Sequence, residues 1–251
     1  MVMVELKRIN KFVSESGLCS RREVDRLVAA GKVLINGDKA EMGSKVSGED
    51  VVLVNGKKIG VGVRKVYLAF NKPVGVTCTT DLRDPDNIID YIGYTERIFP
   101  IGRLDKMSEG LIFLTNDGDI VNKILRAGNL HEKEYVVKVD RDVTEAFLKK
   151  MGSGIEIFPV LNGIPSKVGV VTEDCKVEKV SKRSFRIVLT QGLNRQIRRM
   201  CEALGFRVLR LERVRIMGIG LDGIGVGKWR VLSDDEMAGM LRDVALSSGV
   251  V

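Results

Sequence analysis

The stretch GRLDKMSEGLIFLTNDGD, residues 102–119, carries the pattern that decides the local fold. It places Asp105 in a short loop that follows the apolar run 97–101 and precedes the apolar run 110–115. Short apolar runs bounded by glycine and polar residues predict two strands joined by a loop. A carboxylate in such a loop is more often a turn residue or a helix cap than a functional group. Taken alone, Asp105 leaves both interpretations open.

Patterns typical of strands and helices alternate beyond this stretch. The expected strands cover residues 66–70, 110–115, 135–139 and 185–189, and the expected helices cover 120–126, 195–204 and 234–245. Pro73 is expected to break the first strand, because proline cannot donate to a sheet ladder. With no internal repeat, this order predicts an α+β fold with a mixed, mainly antiparallel sheet.

The first 60 residues form a separate pattern of two helices followed by short strands. Apolar residues at helical spacing predict a first helix over residues 8–16. Ser20 and Glu23 form a capping box that should open a second helix. The Asn-Gly pairs at 36–37 and 55–56 are typical of tight hairpin turns. A small domain with its own core is therefore expected here, and residues 61–66 are its predicted boundary.

Positive charge is concentrated in two parts of the chain. The net charge is +8 over 251 residues, with a sequence pI near 9.3. Residues 1–65 carry a net +5, residues 181–215 a net +8, and the remainder a net −5. A phosphate backbone favours such concentration because its neutralisation releases counterions. The distribution therefore suggests a polyanionic partner.

Other classes of protein receive little support. The cysteines, Cys19, Cys78, Cys175 and Cys201, form no Cys-x-x-Cys pair, so a disulfide framework or a zinc site is a poor interpretation. His131 is the sole histidine, and no phosphate-binding glycine motif is present, so no metal or cofactor is expected. No apolar run of 18 residues occurs, and the first ten residues lack a secretory pattern, so we expect a cytoplasmic protein without membrane contact.

Two longer motifs resemble known families. RINKFVSESGLCSRREVDRLVAAGKVLINGDKA, residues 8–40, resembles an S4 domain, a small RNA-binding module. The stretch around Asp105 closely resembles the catalytic motif of the RsuA-type branch of pseudouridine synthases. The resemblance implies an S4-like RNA-binding domain over residues 5–62 and a catalytic domain with the pseudouridine synthase fold over residues 66–245.

The same resemblance implies three catalytic residues. The motif's aspartate, here Asp105, is the nucleophile in that family. HEKEYVVKV, residues 131–139, places Tyr135 next to the target base, where stacking is worth about 1–3 kcal/mol, although from the residue alone an ordinary half-buried tyrosine is as plausible. The basic residue that pairs with the aspartate matches Arg198, with Arg195 as the alternative. An arginine within about 4–6 Å favours the charged form of a carboxylate.

Several basic residues are expected to contact RNA phosphates. They are Arg8, Lys11, Arg21, Arg22 and Arg26 in the S4-like domain, and Lys72, Arg103, Arg195 and Arg199 in the catalytic domain.

Three further segments, VNKILRAGNLHEKEY, QGLNRQIRRMCE and LERVRIMGI, are most similar to RluF-type synthases, which act on large-subunit ribosomal RNA. A 23S rRNA stem–loop is therefore the expected substrate of a monomeric enzyme. The long basic tail of some relatives is not expected after the final helix. Small-subunit rRNA, a tRNA anticodon loop, or a non-catalytic role in ribosome assembly remain alternatives.

Overall fold

The computed structural model describes residues 6–60, 62–125, 130–158, 160–161 and 164–247. Within these residues the chain forms two compact units. The first comprises the described residues up to Val66 together with Tyr94–Ile98 and Thr115–Gly118, and the second comprises Tyr67–Gly93, Phe99–Leu114 and the described residues from Asp119 onward. Val61 of the predicted boundary and Arg126 of a predicted helix lie outside the described residues. The domain limits expected from sequence, 5–62 and 66–245, remain predictions.

The first unit contains two helices and six short strands. In chain order they are β1 Lys7–Arg8, α1 Ile9–Glu15, α2 Arg21–Ala29, β2 Val33–Ile35, β3 Asp38–Lys39, β4 Lys45–Val46, β5 Val52–Val54 and β6 Lys57–Lys58. Strands β3, β2, β5 and β6 form an antiparallel sheet in that order, and β1 pairs with β4.

Local sequence signals explain this unit. The Ser20 side chain accepts a hydrogen bond from the Glu23 amide at 3.2 Å, so the predicted cap opens α2. Asn36 and Gly37 both have positive φ, 53° and 99°, as the predicted Asn-Gly hairpin between β2 and β3 requires. The core is built mainly of small branched residues; Val13, Val24, Val33 and Val46 are fully buried members.

The second unit holds the remaining elements. They are β7 Tyr67–Lys72, α3 Ile88–Ile92, β8 Phe99–Ile101, β9 Glu109–Thr115, α4 Gly118–Leu125, β10 Lys133–Val139, α5 Glu145–Gly152, β11 Glu156–Ile157, β12 Val160–Leu161, β13 Ile164–Pro165, β14 Val170–Val171, β15 Lys176–Ser181, β16 Ser184–Leu189, α6 Gln196–Ala203, β17 Val208–Ile216, β18 Ile219–Gly220, β19 Trp229–Val231 and α7 Asp234–Ser247.

Its central sheet has the order β15-β16-β10-β17-β9-β7-β19, with β18 on β17 and β8 on β9. The β9–β17 pair is parallel, whereas β10 pairs antiparallel with both β16 and β17, as do β15 with β16 and β19 with β7. The predicted mixed, mainly antiparallel α+β fold is confirmed. The short α3 and the edge strand β19 were not predicted.

Two apolar clusters fix the helices of this unit. One joins Phe113 of β9 to Ile120 of α4 and Met240 of α7. The other joins Phe185 of β16 to α5 and α6, and contains the apolar stripe of α6 that the sequence predicted. The core therefore holds α6, which carries the predicted arginines. No helix in the described parts of the chain is long and apolar enough to cross a membrane.

Candidate active site

Asp105 lies in the loop between β8 and β9, as predicted. The loop leaves β8 at Gly102, where φ is +78°. It then closes on itself, because the Ser108 amide donates to the Asp105 carbonyl at 2.9 Å. A neighbouring segment also binds it, since the Gly75 amide donates to the Lys106 carbonyl at 2.8 Å. Backbone contacts therefore fix the place from which the Asp105 carboxylate projects.

Glycine is required where this loop enters the sheet. Gly110 faces Arg213 in the parallel β9–β17 pair and has φ +102°. A Cβ atom at position 110 would lie 2.2 Å from the Arg213 carbonyl oxygen, closer than real Cβ contacts allow. The close approach of β9 to β17, five residues after Asp105, thus depends on the missing side chain.

Both candidate arginines reach the Asp105 carboxylate. Arg195 Nη1 lies 3.6 Å from Asp105 Oδ2, and Arg198 Nε lies 3.8 Å from the same oxygen. Arg195 is the residue before α6, has a left-handed backbone conformation with φ 52°, and is exposed. The sequence left a choice between the two arginines, and the structure brings both to Asp105.

Arg198 is the more firmly held of the two. Its Nη2 donates to the Met107 carbonyl at 2.9 Å and to the Ser108 hydroxyl at 3.0 Å, and only 11% of its side chain is exposed. Burial lowers the pKa of the Arg198 guanidinium, the adjacent Arg195 lowers it further, and Asp105 opposes the change. Arg198 therefore ties α6 to the Asp105 loop while keeping a cation beside the carboxylate.

Tyr135 lies in the same cleft as Asp105. The cleft has a volume of about 90 Å³ and opens to solvent. Its walls include Arg103, Asp105, Tyr135, Leu189, Arg195 and Ile197. Tyr135 is half-buried and is the third residue of β10, not its first as the sequence suggested. A carboxylate, two cations and an aromatic face thus converge on one space.

The structure corrects the prediction for Lys72. Its side chain is 0% exposed, so it cannot contact an RNA phosphate at the surface. Its ammonium donates to the carbonyls of Val76 at 2.8 Å and Pro73 at 2.9 Å. Burial lowers the pKa of the Lys72 ammonium, whereas the nearby Cys78 and Asp105 oppose that change. All six residues of β7 are buried, which takes Lys72 inside with its neighbours.

The other basic residues of the second unit that were expected to contact phosphate differ in their exposure to solvent. Arg103 is exposed and lines the cleft. Arg199 is half-buried, and its guanidinium donates to the Phe158 carbonyl and to Asn194 Oδ1, both at 2.9 Å. Arg199 therefore holds the segment around Phe158 against α6, a local role that the basic pattern did not predict.

The basic residues of the first unit are mostly at its surface. Exposed side chains are found at Arg8, Arg21, Arg22 and Arg26, while Lys11 is half-buried. Arg26 pairs with Glu23 at 2.8 Å and Lys11 pairs with Glu15 at 3.5 Å. A surface pair of this kind is weak, so a phosphate can compete for these cations.

Two residues of the site were missed in the sequence. Ser108 is 1% exposed and accepts a hydrogen bond from Arg198. Arg213 is 4% exposed, and its guanidinium carbon lies 6.0 Å from the centre of the Tyr135 ring. A signal for Arg213 existed, because it is two residues from Leu211, and alternate residues of a strand share one face.

Comparison with known proteins identifies the family. The family model described as RNA pseudouridylate synthase matches residues 66–203, and the S4 domain model matches residues 7–52. The chain belongs to the RNA pseudouridylate synthase family. It is an RNA pseudouridine synthase with an N-terminal S4 domain, so its substrate is RNA.

Curated relatives cover nearly the whole synthase. It is 53% identical over 243 residues to the dual-specificity RNA pseudouridine synthase RluF of Salmonella typhi, covering 96% of this chain and 81% of that one. It is 34% identical over 235 residues to ribosomal large subunit pseudouridine synthase B of Bacillus subtilis, covering 92% and 94%. The match includes both units.

A solved structure supports the fold of the synthase independently. A crystal structure of a pseudouridylate synthase superposes with a TM-score of 0.63 at 25% sequence identity. The superposition covers 93% of this chain and 99% of that one. The catalytic fold inferred from motifs is therefore also found by comparison of backbones.

Proposed function

We propose that this synthase isomerises one specific uridine of 23S ribosomal RNA and that Asp105 acts directly on the ribose of that uridine. The observation that carries the proposal is the pairing of Asp105 with Arg195 and Arg198 at the wall of a cleft that also holds Tyr135. The choice of substrate is supported by the name of the Bacillus subtilis relative, which assigns that protein to the large ribosomal subunit.

The reaction rearranges bonds without oxidation or reduction. The bond between N1 of uracil and C1′ of ribose breaks, the base turns, and a bond forms between C5 and C1′. The hydrogen on C5 leaves as a proton, and N1 gains a proton. Asp105 either attacks as a nucleophile or stabilises the positive sugar that is left when the base departs. Both routes need an ionised carboxylate and neither needs a metal or an organic cofactor.

The two arginines would serve Asp105 in different ways. Arg198, anchored on Met107 and Ser108, would hold the carboxylate at a fixed angle through its planar guanidinium. Arg195, which is exposed at the cleft, would contact both the carboxylate and an incoming phosphate. Tyr135 would stack on the uracil ring, a contact that accepts a base in more than one orientation while it turns.

RNA binding would use the basic surfaces of both domains, taken as residues 5–62 and 66–245. A uridine within a stack hides its reacting atoms, so it must leave the stack to enter the cleft. Exposed arginines such as Arg22 in the S4 domain and Arg103 at the cleft would contact the flanking phosphates. We expect a cytoplasmic monomer, since ribosomal RNA is the proposed substrate and Asp105, Tyr135 and Arg195 of a single chain line one cleft.

Tritium release from RNA labelled at C5 of uracil tests this proposal. Fragments of both ribosomal RNAs, intact ribosomal precursors and tRNA transcripts would be offered to the wild type, Asp105→Asn and the control Asp142→Asn. Asp142 is an exposed aspartate of the same unit that pairs with Arg183. We expect release from one 23S fragment and its loss by at least about a thousandfold in Asp105→Asn alone.

The outcomes separate the alternatives. Release from tRNA or small-subunit RNA only would show that the catalytic proposal is correct and the substrate wrong. Tight binding without release from any RNA would favour a non-catalytic role in ribosome assembly. Release by Asp105→Asn at the wild-type rate would refute the role of Asp105.

A further inference from the structure

A buried arginine without a full set of partners lies next to Tyr135, a residue of the cleft wall. Arg213 of β17 is 4% exposed and pairs across the ladder with Tyr135 of β10. Its Nε donates to the Leu111 carbonyl at 2.6 Å, but its Nη2 is buried and has no hydrogen-bond partner. The guanidinium carbon is 6.0 Å from the centre of the Tyr135 ring, a cation–π distance.

The charge of Arg213 is not neutralised locally. Among the described residues no carboxylate forms an ion pair with it. Its electrostatic neighbours include two further cations, Lys72 and Lys133, whose pKa values are lowered mainly by burial and further by Arg213 itself. The Lys133 ammonium is held by the His131 carbonyl at 3.0 Å. Arg213 is thus a buried cation with two further cations near it, and the acids whose charge reaches Lys72 include Asp105 of the cleft wall and Glu109.

Folding alone does not favour this arrangement. A buried charge without a counter-ion destabilises a protein, and apolar residues of similar volume at such positions are often neutral or stabilising. A residue that is costly for stability and lies beside an active site is a sign of function. The same low-polarity surroundings that make the charge costly also strengthen its field in the cleft.

The chemistry offers a role for that field. When the bond between N1 and C1′ breaks, its electron pair remains on the base, and uracil becomes an anion until C5 bonds to C1′. The Asp105 carboxylate would stabilise the positive charge on the sugar, but it would repel an anionic base. A fixed positive charge 6.0 Å from the centre of the Tyr135 ring would stabilise the base during that interval.

We propose that Arg213 is a positioning residue of this synthase, which holds the Tyr135 ring and supplies the positive field that stabilises the detached, anionic uracil. The inference rests on the proposed roles of Asp105 and Tyr135. Arg213 is 4% exposed and does not line the cleft, so it does not touch the base and acts through the ring and through space. Arg213 therefore affects the chemical step more than the binding of RNA.

The test compares Arg213→Met, which removes the charge at similar length, with Arg213→Lys, which retains it. Arg210→Met is the matched control, because Arg210 lies on the same strand with 56% of its side chain exposed. For each variant the measurements are the melting temperature, the dissociation constant for the substrate RNA, and the single-turnover rate of tritium release at saturating enzyme.

We expect Arg213→Met to melt at or above the wild-type temperature while its single-turnover rate falls by about 10- to 100-fold. RNA affinity should change by less than about threefold, since the residue does not contact phosphate. Arg213→Lys should recover most of the rate, and Arg210→Met should match the wild type. Arg213→Gln, which keeps a donor for the Leu111 carbonyl, replaces the Met variant if that variant does not fold, with the same expected loss.

A neutral variant that is folded and reacts within about threefold of the wild type would overturn the proposal. So would a rate loss that Lys does not relieve and that accompanies a lower melting temperature, because that pattern indicates a structural role. The Asp105→Asn variant distinguishes failure of the proposed function from failure of the inference about Arg213. If it is inactive while Arg213→Met is fully active, the proposed function stands and this inference fails; if Asp105→Asn is active, both fail.

Discussion

Replacement of Gly110 by alanine tests how the sheet holds the active site. Gly110 begins the buried part of β9 and faces Arg213 of β17 in the parallel pair. An alanine Cβ would lie 2.2 Å from the carbonyl oxygen and 2.7 Å from the amide nitrogen of Arg213. Both atoms belong to the backbone, so a rotamer change cannot relieve the clash, and the two strands must separate.

The expected cost has two parts. An alanine at φ +102° occupies a conformation that costs non-glycine residues about 1–3 kcal/mol. The strands must also move apart by about 1.2 Å, from 2.2 Å to the 3.4 Å at which ordinary contact begins, and this movement loosens packing on both sides. Together these predict a loss of about 4 kcal/mol in the free energy of unfolding, near the upper end for a single substitution.

Urea unfolding followed by tryptophan fluorescence measures this loss. Trp229 is the single tryptophan of the chain and lies on β19 of the same sheet, so its signal reports on this unit. Gly218→Ala is the matched control, since a Cβ atom at position 218 would meet no heavy atom within 4 Å and the position needs no positive φ. It should change stability by less than about 0.5 kcal/mol.

A second readout links this stability to function. A displacement of about 1 Å in a catalytic group can reduce a rate by about a hundredfold, so tritium release by folded Gly110→Ala should fall by at least about tenfold. A Gly110→Ala enzyme that loses less than about 1 kcal/mol and keeps its rate would refute the argument that the β9–β17 approach positions Asp105.

Three further predictions concern other parts of the molecule. Ser20→Ala should destabilise α2 by about 1 kcal/mol, because the Glu23 amide loses its acceptor, and hydrogen exchange of the α2 amides would detect it. Hydrogen bonds from Arg230 lower the pKa of Glu236 to about 2. The ionised Glu236 therefore stabilises the folded state above pH 4.5, and this stabilisation is lost as the pH falls toward 2. Glu236→Gln should therefore cost about 1 kcal/mol at pH 7, after allowance for solvent exposure, and less at pH 3, as urea titrations at both pH values would show. Arg22→Gln should reduce the salt dependence of RNA affinity by about one released ion, measured by fluorescence anisotropy in increasing KCl.

Local signals in the sequence predicted local structure well. The N-cap at Ser20 and the Asn-Gly turn at residues 36–37 depend on contacts within four residues, and both formed as expected, although the Glu23 carboxylate pairs with Arg26. The apolar stripe of α6 likewise predicted its buried face. Asp105 was placed in the right loop because strands flanked by glycine have a recognisable pattern. In each case the interaction that determines the structure joins residues that are close together in the chain.

The sequence did not predict which distant strands become neighbours in the sheet. Lys72 was expected to contact an RNA phosphate because of the family resemblance, yet its side chain is buried. In β7 all six residues are buried, so the alternation that separates inner from outer faces is absent. The identity of Gly110 as the close contact of β17 also depends on which strands become neighbours, about 100 residues apart in the chain. Only the folded structure provides that information.

The buried cations change how the charge of the chain should be understood. The net +8 of residues 181–215 was interpreted as a surface for phosphate. Within that block Arg213 is 4% exposed, the Arg198 side chain is 11% exposed, and Arg215 pairs with Glu132 and Glu134. RNA phosphates have little access to such cations. These cations therefore displace few of the counterions that are condensed on the RNA. Part of this block therefore lies inside the fold and not on a surface open to the RNA backbone. Variants of Arg198 and Arg213 should alter the rate of the chemical step at constant salt dependence, whereas variants of the exposed S4 arginines should lower the salt dependence and leave that rate unchanged.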